Sequence, residues 1–175
     1  MNVLLGVTGS VAAVLMPKLI TALEVNHKVK IVVTDTVQNF ISAQDINRKL
    51  YNDRSEWAEF DKVGDPILHI ELRKWADVFL IAPCTMNTLA KITNGLCDNL
   101  LTNIARAWDS SKPFFIAPAC NTHMWDHSIT KKQLNSAQED LGIQVIQPVS
   151  KTLACGDTGV GAMADIKTIV DTLEN

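Results

Sequence analysis

Apolar residues along the chain come in short unbroken runs, separated by longer stretches in which they recur every three or four positions. Residues 2–8, NVLLGVT, form the first run, which suits a parallel strand buried on both faces. Gly9-Ser10 makes a turn, and the stretch from Val11 to Val25 predicts a helix that Pro17 kinks or restarts. Residues 29–34, VKIVVT, predict a second strand, with a short helix over 36–41 behind it. Residues 42–66 are the least periodic: Asp53, Glu56 and their charged neighbours read as solvated, with Tyr51, Trp57 and Phe60 as anchors. Some helix and an edge strand are expected there, and Asp65-Pro66 marks a turn. Ile70, Leu72 and Trp75 then form a helical or irregular apolar side, before a strand over 78–82 that Pro83 ends.

Thr88 to Ile92 opens a helix closed by Asn94-Gly95, and Asp98 to Trp108 predicts another. Phe114 to Ala117 reads as a strand that Pro118 stops. Ser128 or Thr130 caps a helix running to Leu141, Gly142 ends it, and QVIQPV makes a further strand. Residues 150–163 are glycine-rich and suit a mobile flap better than a packed element. An amphipathic helix over 164–174 closes the chain. Strands alternate with helices throughout, so the expected fold is α/β. It is one domain over 1–175, a doubly wound, Rossmann-like (flavodoxin-like) parallel sheet with helices on both faces.

Ligands of such a sheet sit beyond the carboxyl ends of its strands. The turn at Gly9, Ser10 and Val11 either holds a phosphate on its backbone N–H groups or is a tight connection. Its spacing is neither GxGxxG nor the phosphate-loop signature, so NAD and ATP are not indicated. Thr34 either offers a hydroxyl to the same phosphate or caps a helix. Phe40 is a core residue or lines a ring pocket. Two strand ends, Pro83 to Thr88 and Pro118 to Trp125, face one crevice. Asn121 lies there with an amide that both donates and accepts.

A chain of 175 residues, 47% of them hydrophobic, buries a sizeable core. The net charge of −3 comes without a basic stripe, which argues against a nucleic-acid partner. No apolar run reaches the roughly 18 residues that span a membrane, and the N-terminus lacks the layout of a signal peptide. Cys84, Cys97, Cys120 and Cys155 form no CxxC pair. No metal site is therefore indicated, and a cytoplasmic protein with free thiols is the simplest account.

PACNTHMW resembles the PxMNxxMW motif of the flavin-dependent cysteine decarboxylase family, with Cys120 in place of the usual Met. PCTMNT resembles the family's PASANT: Pro83, Asn87 and Thr88 match, Thr85 keeps the hydroxyl, and Met86 is bulkier than the usual Ala. LAKITNGLCDNLLTNIARAWD matches more specifically than either short motif. GVTGSVAA resembles the flavin-phosphate turn, HIELRKWADVFLIAP the active-site histidine segment, and LACGDTGVGAM the substrate clamp. The resemblance covers nearly the whole chain in the right order, and its last two segments point to the branch acting on 4′-phosphopantothenoylcysteine.

The resemblance implies FMN as cofactor, held by Gly9, Ser10, Val11, Thr34, Phe40, Thr85, Met86, Asn87 and Ala119. It implies 4′-phosphopantothenoylcysteine as substrate, contacted by Asn121, Met124, Gly156, Ala162 and Met163, and 4′-phosphopantetheine and CO₂ as products, within coenzyme A biosynthesis. It gives His69 the role of acid/base and Cys155 that of proton donor in the reductive step. It also implies a homotrimer, sometimes arranged into dodecamers, with active sites shared between subunits. The alternatives are a non-catalytic phosphatase-regulatory subunit on the same scaffold, another FMN-dependent cysteine decarboxylase, a flavin prenyltransferase, or a flavin-storage module. The first often carries a long acidic tail that this sequence lacks, and LACGDTGVGAM counts against the prenyltransferase.

Overall fold

The structure is a computed structural model that describes residues 1–42, 44, 46–58, 60–152, 156 and 158–174. Its central sheet comprises β1 (Asn2–Val7), β2 (Lys28–Val33), β3 (Leu50–Tyr51), β4 (Val78–Cys84), β5 (Phe114–Pro118) and β6 (Gln144–Val145). All neighbours are parallel, in the order β3-β2-β1-β4-β5-β6. The chain winds outward from β1 to β3, then returns to lay β4 on the other side of β1. At that switch the connections leave in opposite directions, and a crevice opens beyond the strand ends. The helices are α1 (Met16–Leu23), α2 (Asp53–Ala58), α3 (Leu68–Trp75), α4 (Met86–Thr93), α5 (Leu100–Arg106), α6 (Thr122–Asp126), α7 (Ser128–Glu139) and α8 (Ile166–Glu174).

Successive strand residues point to opposite faces, and each face has its own core. Val3, Leu5 and Val7 of β1 pack with Ile31, Val33 and Leu80 against Met16, Leu19 and Leu23 of α1 and Ile169 and Leu173 of α8. Leu4, Val32, Phe79 and Ile81 face the other way, against Leu72 of α3, Leu89 of α4, Leu101 and Ile104 of α5 and Ala137 of α7. Burial on both faces is why the strands read as unbroken apolar runs.

Several boundaries differ from expectation for local reasons. The helix expected over Val11–Val25 is two pieces, a 3-10 turn over Val11–Leu15 and then α1, with Pro17 at the start of α1 where a missing N–H costs nothing. The short helix after β2 is likewise a 3-10 turn, over Asp35–Asn39. Pro83 does not end β4. The strand runs on to Cys84 across a register shift against β5, and the Pro83 carbonyl accepts from Thr8 of the neighbouring strand end. Asn99 and Thr102 cap each other reciprocally and start α5 later than Asp98. QVIQPV is not one strand. It supplies β6 and the first residue of β7 (Val149–Thr152), which pairs antiparallel with β8 (Thr158–Ala162) outside the main sheet. The segment expected to be a flap therefore contains a two-stranded ribbon. Glu56 is buried rather than solvated.

Candidate active site

The switch between β1 and β4 is tied by one hydroxyl. Thr8, 1% exposed, donates from Oγ1 to the Pro83 carbonyl at 2.8 Å and accepts from the Thr85 N–H at 2.9 Å. These bonds hold the Gly9-Ser10 turn beside the start of α4. A Thr8→Val variant, equal in shape, leaves the Thr85 N–H without that partner and is expected to lose about 1–3 kcal/mol of stability in denaturant unfolding. An unchanged midpoint would show that the hydroxyl does not brace the switch.

At the turn itself, Ser10 starts the 3-10 turn, its side chain accepting from the Ala12 N–H and its carbonyl from the Ala13 N–H. Gly9 is hemmed in: a Cβ there would lie 2.1 Å from Thr36 Oγ1. Only glycine lets the two connections approach this closely. Beside it opens a cleft of about 250 Å³, whose lining includes Gly9, Thr34, Thr36, Thr85, Asn87 and Thr88. Lys91 and Asp98 also line it, and the Lys91 hydrogen bond holds the Asp98 carboxyl below its ordinary pKa.

On the other side of the turn lies a more apolar cavity of about 360 Å³, lined by Ser10, Val11, Ala119, Asn121, Ala162 and Met163 among others. Asn121 follows β5 and caps α6, accepting from the His123 N–H at 2.8 Å, so its amide is oriented by the helix it begins. The ribbon seats against the same segment. The Cys120 N–H donates to the Gly161 carbonyl at 2.9 Å, and Gly161 has φ +147. A Cβ on Gly161 would meet the Cys120 carbonyl oxygen at 2.4 Å. Burial pushes the Cys120 thiol up to about 11, helped by the Asp126 carboxylate, which disfavours its thiolate form.

His69 is the second residue of α3 and stands elsewhere. Its Nδ1 lies 2.6 Å from Oε1 of Glu56, in a pair whose side chains are 25% and 3% exposed. His69 does not line the cavity around Asn121. The segment leading to it carries exposed apolar residues, Trp57, Phe60, Val63 and Ile67. Exposed apolar residues also lie near Asn121: Val11 lines the same cavity, and Met124 belongs to the helix that Asn121 caps.

The expected site residues thus fall into three places. Gly9, Thr34, Thr85 and Asn87 line the polar cleft, while Ser10, Val11, Ala119, Asn121, Ala162 and Met163 line the apolar cavity. His69 sits in the third place with Glu56. Met86 turns its side chain into the core, where Thr130 approaches its sulfur at 3.7 Å, so its extra bulk goes into packing. Phe40 is partly exposed and lines neither cavity, and Gly156 is exposed with φ +91. Met124 is exposed, with its carbonyl bonded to Thr130. Cys155 lies outside the described residues. Glu56, Thr36, Lys151 and Gly161 were not legible as site residues. Glu56 precedes its histidine by thirteen positions, and no spacing rule links them. Gly161 alone carried a signal, since glycine inside a strand pattern marks close backbone approach.

The chain matches the model of the family "Flavoprotein" over residues 1–175. It is 50% identical, over 98% of its length and 86% of the relative's, to a probable phosphopantothenoylcysteine decarboxylase of Arabidopsis thaliana. Its fold superposes with a TM-score of 0.95 on a cysteine-to-serine variant of PPC decarboxylase complexed with pantothenoylaminoethenethiol, at 48% identity over 99% of this chain and 96% of that one. The FMN binding protein AtHal3 superposes at 0.91, also with 48% identity, over 99% of this chain and 94% of that one. With a family match over its whole length, and the switch-point crevice built from the same segments that carry the motifs, the chain belongs to the flavoprotein family.

Proposed function

We propose that the protein is an FMN-dependent phosphopantothenoylcysteine decarboxylase, converting 4′-phosphopantothenoylcysteine to 4′-phosphopantetheine and CO₂. The observation that carries this reading is the near-full-length identity of about half to relatives of that name, on a chain that keeps His69 and Asn121. The crevice fits the cofactor. Gly9 lets the Thr36 side chain close on the turn, and the hydroxyls of Thr34, Thr36, Thr85 and Thr88 line the cleft beside it as a set of neutral donors. That set suits a ribityl phosphate, and the adjoining apolar cavity suits a planar ring. Bound FMN supplies a two-electron sink for the cysteine side chain, without which the carbanion left by CO₂ has nowhere to delocalise.

The chain's own residues then divide the work. Gly9, Ser10 and Thr34 hold the phosphate end. The Asn121 amide donates to the substrate carboxylate without a full positive charge, which would favour the ground state over the transition state. His69 accepts the thiol proton during oxidation. Cys155, by its place in LACGDTGVGAM, gives a proton back in the reductive step.

Among the described residues, His69 does not line the cavity that holds Asn121, and exposed apolar side chains lie close in the chain to each. Head-to-tail contacts close into a ring when the rotation between subunits closes, and a homotrimer of that kind would bring His69 of one subunit to the Asn121 cavity of the next. Cys84, Cys97 and Cys120 are unpaired, which agrees with a cytoplasmic location. Among the described residues no helix is long and apolar enough to cross a membrane.

The test is to purify the protein, release and identify its chromophore, and incubate it with 4′-phosphopantothenoylcysteine while following products by mass spectrometry. A yellow protein that releases FMN and forms 4′-phosphopantetheine is expected. Absence of CO₂ release by an FMN-loaded sample would overturn the reading.

A further inference from the structure

We propose that Glu56 is a positioning residue, which fixes the tautomer of His69 and leaves Nε2 as the atom that accepts the substrate's proton. The consequence for catalysis rests on the decarboxylase reading above; the tautomer rests on geometry alone.

The carboxylate and the imidazole meet through one contact, Oε1 to Nδ1 at 2.6 Å. An ionised carboxylate only accepts hydrogen bonds, so the proton between the two atoms belongs to Nδ1. A neutral ring with its proton on Nδ1 carries its lone pair on Nε2. The other tautomer would turn a ring lone pair against the carboxylate. Glu56 Oε2 is buried and has no partner among the described residues. The carboxylate's local compensation therefore runs through Oε1 and the ring.

Both partners are held by anchored elements. Asn52 and Ser55 bond each other's backbone N–H groups and fix the start of α2. Asp53 accepts from the Leu100 N–H at 2.7 Å, pinning α2 to the first turn of α5. Glu56 lies one turn beyond Asp53 on the same helix. On the other side, Leu72 is 1% exposed and roots α3 in the core one turn after His69. A buried acid with one hydrogen-bond partner among the described residues is a poor stabilising device, since an apolar side chain of that size packs without desolvating a charge. Among the described residues its hydrogen-bond partner is the histidine that the mechanism needs.

The proton then has a defined path. Bound FMN would supply the acceptor for the hydride of the carbon bearing the sulfur, and the S–H bond would break as C=S forms. The thiol proton passes to Nε2, and the resulting imidazolium is stabilised by the Glu56 carboxylate at Nδ1.

The experiment compares wild type, Glu56→Gln and Glu56→Asp as FMN-loaded proteins. Imidazole ¹⁵N spectra, with the His69 signals assigned by a His69→Asn control, report the tautomer in the absence of substrate. Stopped-flow bleaching of the flavin with 4′-phosphopantothenoylcysteine reports the oxidation step. Wild type is expected to show protonated Nδ1 and unprotonated Nε2. Glu56→Gln, which keeps the shape and can present either a donor or an acceptor, is expected to lose that bias and to reduce flavin at least about tenfold more slowly, with FMN content and KM within about twofold of wild type. Glu56→Asp keeps the charge and is expected to recover part of the rate. A merely structural glutamate predicts the reverse order, because Gln fits its cavity better than Asp. A proton on Nε2 in wild type, or normal flavin reduction by Glu56→Gln, would overturn the proposal. Failure of wild type to decarboxylate at all would remove the decarboxylase reading and leave the tautomer result standing.

Discussion

A His69→Asn protein is expected to keep its FMN and to lose about 10²- to 10⁴-fold in turnover, the usual worth of a positioned general acid or base. The FMN should stay because His69 lines neither cavity at the Gly9-Ser10 turn. An Asn121→Asp protein should fail differently. It places a negative charge where the substrate carboxylate is expected, so substrate affinity and turnover fall together, more steeply the drier the site.

The pair also tests the shared site. If His69 of one subunit serves the Asn121 cavity of the next, the two inactive variants, unfolded together and reassembled, should regain activity. Random mixing in equal amounts leaves about a quarter of the sites with both native side chains. Each site draws its histidine and its asparagine independently from two kinds of subunit. Light scattering on the reassembled sample checks its size, and an activity assay checks the recovery. No recovery in a mixture of correct size would place both residues in the same subunit's site.

The second large effect is expected far from any side-chain chemistry. Gly161→Ala sets a Cβ against the Cys120 carbonyl, at 2.4 Å before any adjustment, and forces an alanine to φ +147. The backbone conformation costs ~1–3 kcal/mol, and the overlap, as in an overpacked core, a further ~1–3 kcal/mol. The strain is relieved most readily by displacing the ribbon or the β5–α6 connection, and either move shifts Asn121. A misplacement of roughly 1 Å at a reacting group costs about 10²-fold, so kcat/KM is expected to fall by that order while FMN stays bound. The measurement is steady-state kinetics beside flavin absorbance. Activity near wild type would mean that the ribbon does not set the position of Asn121.

Much of this molecule was legible in its sequence, for local reasons. NVLLGVT and VFLIAP are apolar without alternation because helices cover both faces of the sheet, and burial on two sides leaves few polar positions, while VKIVVT keeps Lys30 where β2 is only partly covered. The alternation of such runs with helical stretches points to the class of fold, and the rule that ligands lie beyond strand ends singles out the segments of Gly9, Thr85 and Asn121, which line two cavities at the Gly9-Ser10 turn. The motifs carried the family, since their order and spacing survive as sequence.

Tertiary structure decided what depends on contacts between distant residues. Pro83 looks like a strand terminator, yet the chain continues as β4 because its carbonyl is claimed by Thr8, 75 positions away. QVIQPV looks like one strand, but its second half leaves the sheet to pair with residues 158–162, and antiparallel partners are chosen by space and not by propensity. Met86 looks like an intruder in a ring pocket and is buried under α7. Glu56 looks like one more solvated charge in an aperiodic stretch. Only the packing of α2 on α3 brings its carboxylate to His69, because a side chain's surroundings are set by the helix beside it and not by its neighbours along the chain.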